Sequence, residues 1–423
     1  MNILDELEWR GAINQQTDEE GLRELLDQES IALYCGIDPT GDSMHIGHLI
    51  PFMILKRFQM AGHQPVVLIG GGTGSIGDPS GRTSERQLQS IEQINANAEK
   101  LSDQMRKLFD AGSEESGIRL VNNNEWLSDM RFLDFLRDYG KEFNINTMLA
   151  KDVVASRLES GISFTEFSYQ IIQSIDFLHL YREFDVQLQV GGSDQWGNIT
   201  SGLDLIRKKE GPEAEAYGLT IPLLLKADGT KFGKTADGAV WLDPEKTTPY
   251  EFYQFWYNQD DRDVIKYLKY FTFLSRYDIN QLAEKTEKEP HKREAQRVLA
   301  EEMTRFVHGQ EALDEAIEIS EALFSGNVQN LTAEQIEMSF KDVPSVTAPR
   351  EAVDLVSFLV DVTEISPSRR QAREDIKNGA IYLKGVRIQD IDYVVSEKDS
   401  YDERFILVRR GKKRYFMVHL TDE

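Results

Sequence analysis

The sequence predicts an α/β chain. A Rossmann-like domain on a parallel sheet comes first, then an α-helical domain, then a small α+β C-terminal module. Three observations carry this. Short apolar runs alternate with helical apolar spacing up to about residue 247, the pattern of a parallel sheet covered by helices. From about Thr248 helical spacing continues without strands between. The last block, Val353 to Glu423, holds 13 basic and 13 acidic residues, whereas all 423 residues together hold 48 and 72, a net charge of -24. The expected boundaries are 1–247, 248–325, a polar linker over 326–352 with prolines at 344 and 349, and 353–423.

The elements follow in order. Ser30 to Asp38, "SIALYCGID", reads as a buried strand, and Gly47 to Gly62 as a helix. "PVVLIGGGTG" is a second strand, stopped by glycines. Ser90 to Phe109 is an amphipathic helix and "IRLVNNNEW" a third strand. Thr165 to Phe184 is a helix, and "DVQLQVGGSDQ" a strand followed by a turn. Ligands of such sheets lie at the carboxyl ends of the strands. Helices follow in "TTPYEFYQFWYNQDDRDVIKYLKYF", "DINQLAEK", "HKREAQRVLAEEMTRFVHG" and "EALDEAIEISEALF".

Composition narrows the function classes. The acidic balance argues against a general nucleic-acid coat but not against a local RNA site. The neutral last block is basic relative to the rest, and its cations cluster in "SRRQAREDIK" and "RRGKKR". Cys35 is the one cysteine, so no intrachain disulfide forms, which fits a reducing cytoplasm. The N-terminus has no apolar signal core, and no run of 18 apolar residues predicts a membrane span.

Two stretches carry chemistry. "DPTGDSMHIGHL", Asp38 to Leu49, places His45 and His48 three apart at a helix start. A metal pair lacks a Cys or Glu placed to complete it. A second reading is structural, with polar side chains capping the helix. The third is phosphate handling, since a helix N-terminus offers free N–H groups and Gly47 permits close approach. "LKADGTKFGKT", Leu225 to Thr235, places Lys231 and Lys234 in a glycine-containing loop ending in a hydroxyl. On the helix after Thr165, Tyr169, Gln173 and Asp176 share one face at offsets of four and seven. Such a polar stripe reads either as a water-exposed face or as a pocket for a small zwitterion with a polar tip, which Tyr34 and Asp78 would also reach.

"HIGH" followed by "KFGKT" resembles the two signatures of the class I aminoacyl-tRNA synthetases. "LYCGIDPTGDSMHIGHL", "GDPSGR", "FSYQIIQSIDFLHL" and "VGGSDQWGNI" extend the likeness to the bacterial tyrosyl-tRNA synthetases over essentially the whole chain. The C-terminal block resembles an S-four-like (alpha-L) RNA-binding module. The resemblance implies adenylation of L-tyrosine by ATP and transfer of tyrosine to tRNA(Tyr). It places Tyr34 and Asp176 on the phenol, Tyr169, Gln173 and Asp78 on the ammonium, and Gln189 in the same pocket. Cys35, Gly36, Asp38, Gly47, Gly192, Asp194 and Gln195 would line the adenylate. Thr40, His45 and His48 would contact the nucleotide, and Lys231, Lys234 and Thr235 the pyrophosphate, with Arg82 and Arg86 assisting. Arg369, Arg370, Arg373, Lys377, Arg409, Arg410, Lys412, Lys413 and Arg414 would meet RNA. The expected partners are tyrosine, ATP with Mg2+, tRNA and a second copy of the chain as a homodimer, with no structural metal and no membrane. The sister tryptophan enzymes, a smaller nucleotidyltransferase with an HxGH turn, and a non-catalytic RNA-binding protein are the rivals. The Tyr34/Asp176 pair, the lysine loop and the intact signatures oppose them respectively.

Overall fold

The computed structural model describes residues 2–110, 117–235, 238–412 and 414–422, with the side chains of Asp110, Lys234 and Thr235 outside that description. The chain divides into two compact units, one of residues 1–247 and 255–307, the other of 248–254 and 308–423.

The first unit is built on a six-stranded sheet. Its strands are Gln15–Gln16 (β1), Ala32–Ile37 (β2), Gln64–Ile69 (β3), Arg119–Asn122 (β4), Val186–Gly192 (β5) and Tyr217–Ile221 (β6), in the spatial order β1-β6-β5-β2-β3-β4. β2 to β6 run parallel, and β1 closes one edge antiparallel to β6. Every residue of β6 and five of six in β3 are buried, as expected of parallel strands covered on both faces. Helices Ile46–Met60, Ile91–Asp110, Phe164–Phe184 and Trp196–Glu210 connect them. From β2 the chain steps outward through β3 to β4, then returns to place β5 on the other flank of β2. The carboxyl ends of β2 and β5 therefore diverge at a switch point, where open α/β sheets leave a crevice.

Helices Val264–Phe271, Arg276–Lys288 and Glu294–His308 belong to this first unit apart from the terminal His308. The expected separate helical domain over 248–325 is thus divided, with helix Gln310–Ser325 in the second unit. The second unit also absorbs the stretch expected as a linker. Residues 326–352 carry helix Ala333–Ser339 and strand Ser345–Pro349, and that strand pairs in parallel with Arg414–Thr421. Leu331 and Ile336 from the same stretch are buried with Tyr401 and Phe405 in one apolar cluster. The α+β module therefore starts well before Val353. Its five-stranded sheet is otherwise antiparallel, and helix Arg369–Lys377 buries Ala372 and Ile376 in a second apolar cluster.

Candidate active site

A cavity of about 420 Å³ opens at the switch point, lined by Tyr34 to Asp38 from the end of β2 and Gln189 to Gln195 from β5. Helix Phe164–Phe184 contributes Tyr169, Gln173 and Asp176, all three facing the cavity as their spacing predicts. Asp176 is 2% exposed. Its Oδ2 accepts from Asn123 Nδ2 at 2.9 Å and its Oδ1 from the Trp126 indole at 2.8 Å. Burial pushes its carboxyl up to about 7, the two donors oppose that, and the charge of Asp38 adds to it. The Tyr34 hydroxyl is buried beside it with no hydrogen-bond partner among the described residues, and burial together with Asp176 holds its pKa well above the ordinary phenol value. Gln189 Oε1 is a second buried acceptor without a partner there. Buried polar atoms are rarely left unpaired, so this end of the cavity is shaped for a polar ligand tip.

Three further acceptors line the cavity: Tyr169, Gln173 and Asp78. Tyr169 donates its hydroxyl proton to Asp38 Oδ2 at 2.8 Å, which leaves its oxygen lone pairs as acceptors. Gln173 Oε1 is oriented by Asn198 Nδ2 at 3.2 Å. Asp78 accepts from the Ser80 amide and from Gln195 Nε2, both at 2.9 Å. Asp38 also accepts from Thr73 Oγ1 at 2.6 Å. Burial raises the Asp38 carboxyl to about 6, with Asp78 pushing the same way and the Thr73 and Tyr169 bonds opposing. Burial likewise raises Asp194, helped by Asp78, against Gln195 and Lys231. Cys35 lines the cavity as a buried thiol that burial pushes up to about 12.

The histidine turn resolves into an N-cap. His45 Nδ1 accepts from the Gly47 amide at 3.1 Å, and His48 Nδ1 accepts from the His45 amide at 3.1 Å, a reciprocal capping box made of two imidazoles. The rings stack with centroids 3.8 Å apart. With both Nδ1 atoms accepting, each neutral ring carries its proton on Nε2. Burial, His45 and Arg86 lower His48 to about 3, so it is a neutral donor at pH 7. Both rings line the cavity. The close approach expected at Gly47 comes first from His45 itself, whose ring would lie 2.9 Å from a Cβ there.

The histidine turn is joined by backbone to the segment that follows the lysine loop. Ile46 donates to the Val240 carbonyl at 2.9 Å and Leu242 to the Met44 carbonyl at 2.8 Å. Gln104 holds the turn from the other side, accepting from the Met44 amide and donating to Ser43 Oγ, both at 2.8 Å. Phe232 anchors the lysine loop among Phe255, Trp256, Tyr267 and Phe271. Lys231 lines the cavity, as do Thr40, Gly36, Gly47, Gly192 and Arg86. Arg82 is exposed and does not line it. Lys234 and Thr235 form a short strand against Gly238–Ala239, and their side chains lie outside the described residues.

Thr73, Asn123, Trp126, Asn198 and Gln104 belong to this arrangement but carry no expectation in the sequence. They sit on loops or singly on helices, where no periodicity marks them. The local signal nearest to them is the polar run "NNNEW", which starts at the last residue of β4.

In the second unit, Arg370, Arg373 and Lys377 are exposed on helix Arg369–Lys377, as are Lys412 in the turn before the last strand and Arg414 at that strand's start. Arg369 pairs with Asp361. Arg410 differs from the expectation, because its Nε pairs with Asp375 at 2.8 Å and its Nη1 donates to the Ile365 carbonyl inside the module. Arg409 lies over the Tyr382 ring at 3.7 Å. Lys413 lies outside the described residues.

Residues 26–325 match the family described as tRNA synthetases class I (W and Y), and residues 335–418 match the tyrosine–tRNA ligase SYY-like C-terminal domain. Tyrosine–tRNA ligase 1 of Enterococcus faecalis (strain ATCC 700802 / V583) is 66% identical over 422 residues, covering 100% of both chains. Tyrosine–tRNA ligase 2 of Bacillus cereus (strain ATCC 10987 / NRS 248) is 66% identical over 420 residues, 99% of this chain and 100% of that one. Among solved structures, a C-terminally truncated mitochondrial tyrosyl-tRNA synthetase from Aspergillus nidulans superposes with a TM-score of 0.69 at 33% identity, covering 76% of this chain and 94% of that chain. A tryptophanyl-tRNA synthetase from Encephalitozoon cuniculi, 16% identical with a TM-score of 0.55 over 79% and 89% of the two chains, shares the fold. The chain belongs to the tyrosine–tRNA ligases, a family of class I aminoacyl-tRNA synthetases.

Proposed function

We propose that the switch-point cavity carries both half-reactions of this family. The carboxylate of L-tyrosine attacks the α-phosphorus of ATP, pyrophosphate leaves, and the terminal ribose hydroxyl of tRNA(Tyr) then takes the tyrosyl group and releases AMP. The observation that carries this reading is the floor of the cavity, where the unpartnered Tyr34 hydroxyl stands beside the doubly held Asp176 carboxylate. Asp176 accepts the substrate phenol proton and Tyr34 donates to the phenol oxygen. Gln189 lines the same floor. Phenylalanine would leave the Tyr34 hydroxyl unpaired and Asp176 without the phenol donor; tyrosyl-tRNA synthetase is itself the standard illustration of that penalty, about 10⁵-fold without editing.

The three acceptors above, Tyr169, Gln173 and Asp78, take the ammonium group. Asp38, Cys35, Gly36, Gly47, Gly192, Asp194 and Gln195 line the adenylate, with Asp194 on the ribose. The attacking carboxylate is ionised at pH 7, so no general base is required. The work left is alignment and neutralisation of phosphate charge. Thr40, the Nε2–H groups of His45 and His48, Lys231, Lys234 and Thr235 supply donors, with Arg86 beside His48. Arg82, off the cavity wall, acts at most on the leaving pyrophosphate. Loss of one such donor raises the barrier by about 3–4 kcal/mol if it behaves as an oxyanion-hole donor does.

Mg2+ comes with ATP, held by phosphate oxygens and water. The carboxylates of Asp38 and Asp78 already accept from protein donors, which fits that arrangement better than a protein cage. Arg369, Arg370, Arg373, Lys377, Lys412, Lys413 and Arg414 form the RNA face, and Arg409 and Arg410 shape the module beneath it. The protein acts in the cytoplasm as a homodimer. In support, Phe132, Leu133, Ile145 and Phe164, all in the first unit, are large apolar side chains left exposed. Sedimentation velocity at micromolar concentration checks the dimer.

ATP–pyrophosphate exchange without tRNA, with tyrosine, phenylalanine and tryptophan offered separately, tests the central reading. Exchange with tyrosine alone is expected. Exchange driven by tryptophan would void the role of Asp176.

A further inference from the structure

Asp176 and His179 lie three residues apart on helix Phe164–Phe184, and both engage Trp126. The indole donates to Asp176 Oδ1 at 2.8 Å. Its face stacks on the His179 imidazole, with centroids 4.2 Å apart and planes at 20°. The other carboxylate oxygen is served by Asn123, which is fully buried and fixed by two further bonds, to the Gly72 amide at 2.8 Å and Thr73 Oγ1 at 2.9 Å. Trp126 packs at the edge of the apolar core and makes no second side-chain hydrogen bond among the described residues. It sits on the four-residue helix Asn124–Leu127 and is only half-buried. The orientation of its N–H therefore depends on what holds the ring plane, and His179 is the aromatic partner stacked on it.

We infer that His179 is a positioning residue for tyrosine selection, holding the Trp126 indole flat so that its N–H keeps the Asp176 carboxylate aimed at the substrate phenol. His179 does not line the cavity and touches no reactant. The inference rests on the reading that Asp176 receives the phenol. Burial keeps His179 below its ordinary pKa, with Glu183 and Glu125 opposing and Arg182 reinforcing, so the stack is between neutral rings at pH 7.

The test is ATP–pyrophosphate exchange by the full chain in five variants, four single and one double. Aromatic pairs contribute enough that His179→Ala should raise the tyrosine KM about two- to tenfold. The ATP KM should stay unchanged, and the preference for tyrosine over phenylalanine should fall. His179→Phe, which restores a stacking ring, should recover the tyrosine KM. Trp126→Phe keeps the ring and loses the N–H, so it should show the same tyrosine defect, and His179→Ala should add little to it. An unchanged tyrosine KM in His179→Ala overturns the inference. So does a rise in both KM values together, or failure of His179→Phe to recover. Tyr34→Phe separates this from the underlying reading. If it leaves the tyrosine preference intact, the phenol pocket itself is wrong. If it lowers the preference while His179→Ala does not, only the role of His179 fails.

Discussion

Tyr34 contributes one hydroxyl to the cavity floor, and its removal is the smallest change that probes the pocket. Tyr34→Phe should weaken tyrosine use about two- to tenfold, the range of a single neutral hydrogen bond, and leave ATP use unchanged. Comparing KM for the two substrates checks this. Asp176 supplies a pH signature of definite sign. Burial lifts its folded pKa to about 7, above the unfolded carboxyl value of 3.8. Because the phenol proton needs an ionised acceptor, kcat/KM for tyrosine should rise with pH through about 7. Stability should move the opposite way: between about pH 4 and 7 the folded state binds the extra proton, so stability falls as pH rises across that window. A pH series of kcat/KM beside one of thermal melting, in wild type and Asp176→Asn, checks both slopes. His48, already neutral well above pH 3, should add no limb of its own to the ATP dependence in that range. Tyr169, Gln173 and Asp176 are legible in the sequence because helical offsets put them on one face. Asn123 and Trp126 are not, since a loop residue meets Asp176 only through the pairing of β4 beside β3.

The N-terminus of helix Ile46–Met60 shows how one element serves two ends. Its sequence offers capping and phosphate binding as alternatives; the geometry uses Nδ1 for the first, and the proposed phosphate contact falls to the Nε2 side. Gly47 is the residue this depends on. A Cβ there would sit 2.9 Å from the His45 ring, so Gly47→Ala must displace the imidazole. The cap should then be lost, at a cost of about 1 kcal/mol in unfolding free energy. Weakened ATP use with intact tyrosine binding should accompany it. Denaturant melting and the two KM values check this, and a stable variant with unaltered ATP KM would show that the cap geometry is irrelevant to the nucleotide. Strand Ser345–Pro349 is the contrary case. Two prolines and a polar run read as a linker, yet the strand pairs with Arg414–Thr421, far along the chain. As an edge strand with only one paired flank it tolerates proline, and no local pattern reports a partner so distant.

At the scale of the whole molecule the charge distribution sets the last expectation. A chain of net charge -24 must bind a polyanion through a restricted surface, and the neutral last block is where the compensating cations stand. Arg370, Arg373 and Lys377 project from a helix whose opposite face is fixed by Ala372 and Ile376, so reversing their charge leaves the apolar cluster untouched. The triple change Arg370→Glu, Arg373→Glu, Lys377→Glu should raise the tRNA KM of aminoacylation and make it less sensitive to salt. The slope against log salt should fall by about one for each phosphate that is no longer neutralised. ATP–pyrophosphate exchange, assigned by the proposal to the first unit's cavity, should not change. Both activities measured from about 50 to 200 mM salt, a range over which phosphate binding weakens steeply, decide the matter. Equal loss of both would mean that the second unit supports the cavity rather than the RNA, and a lower charging rate with an unchanged salt slope would move the RNA-binding surface away from this helix.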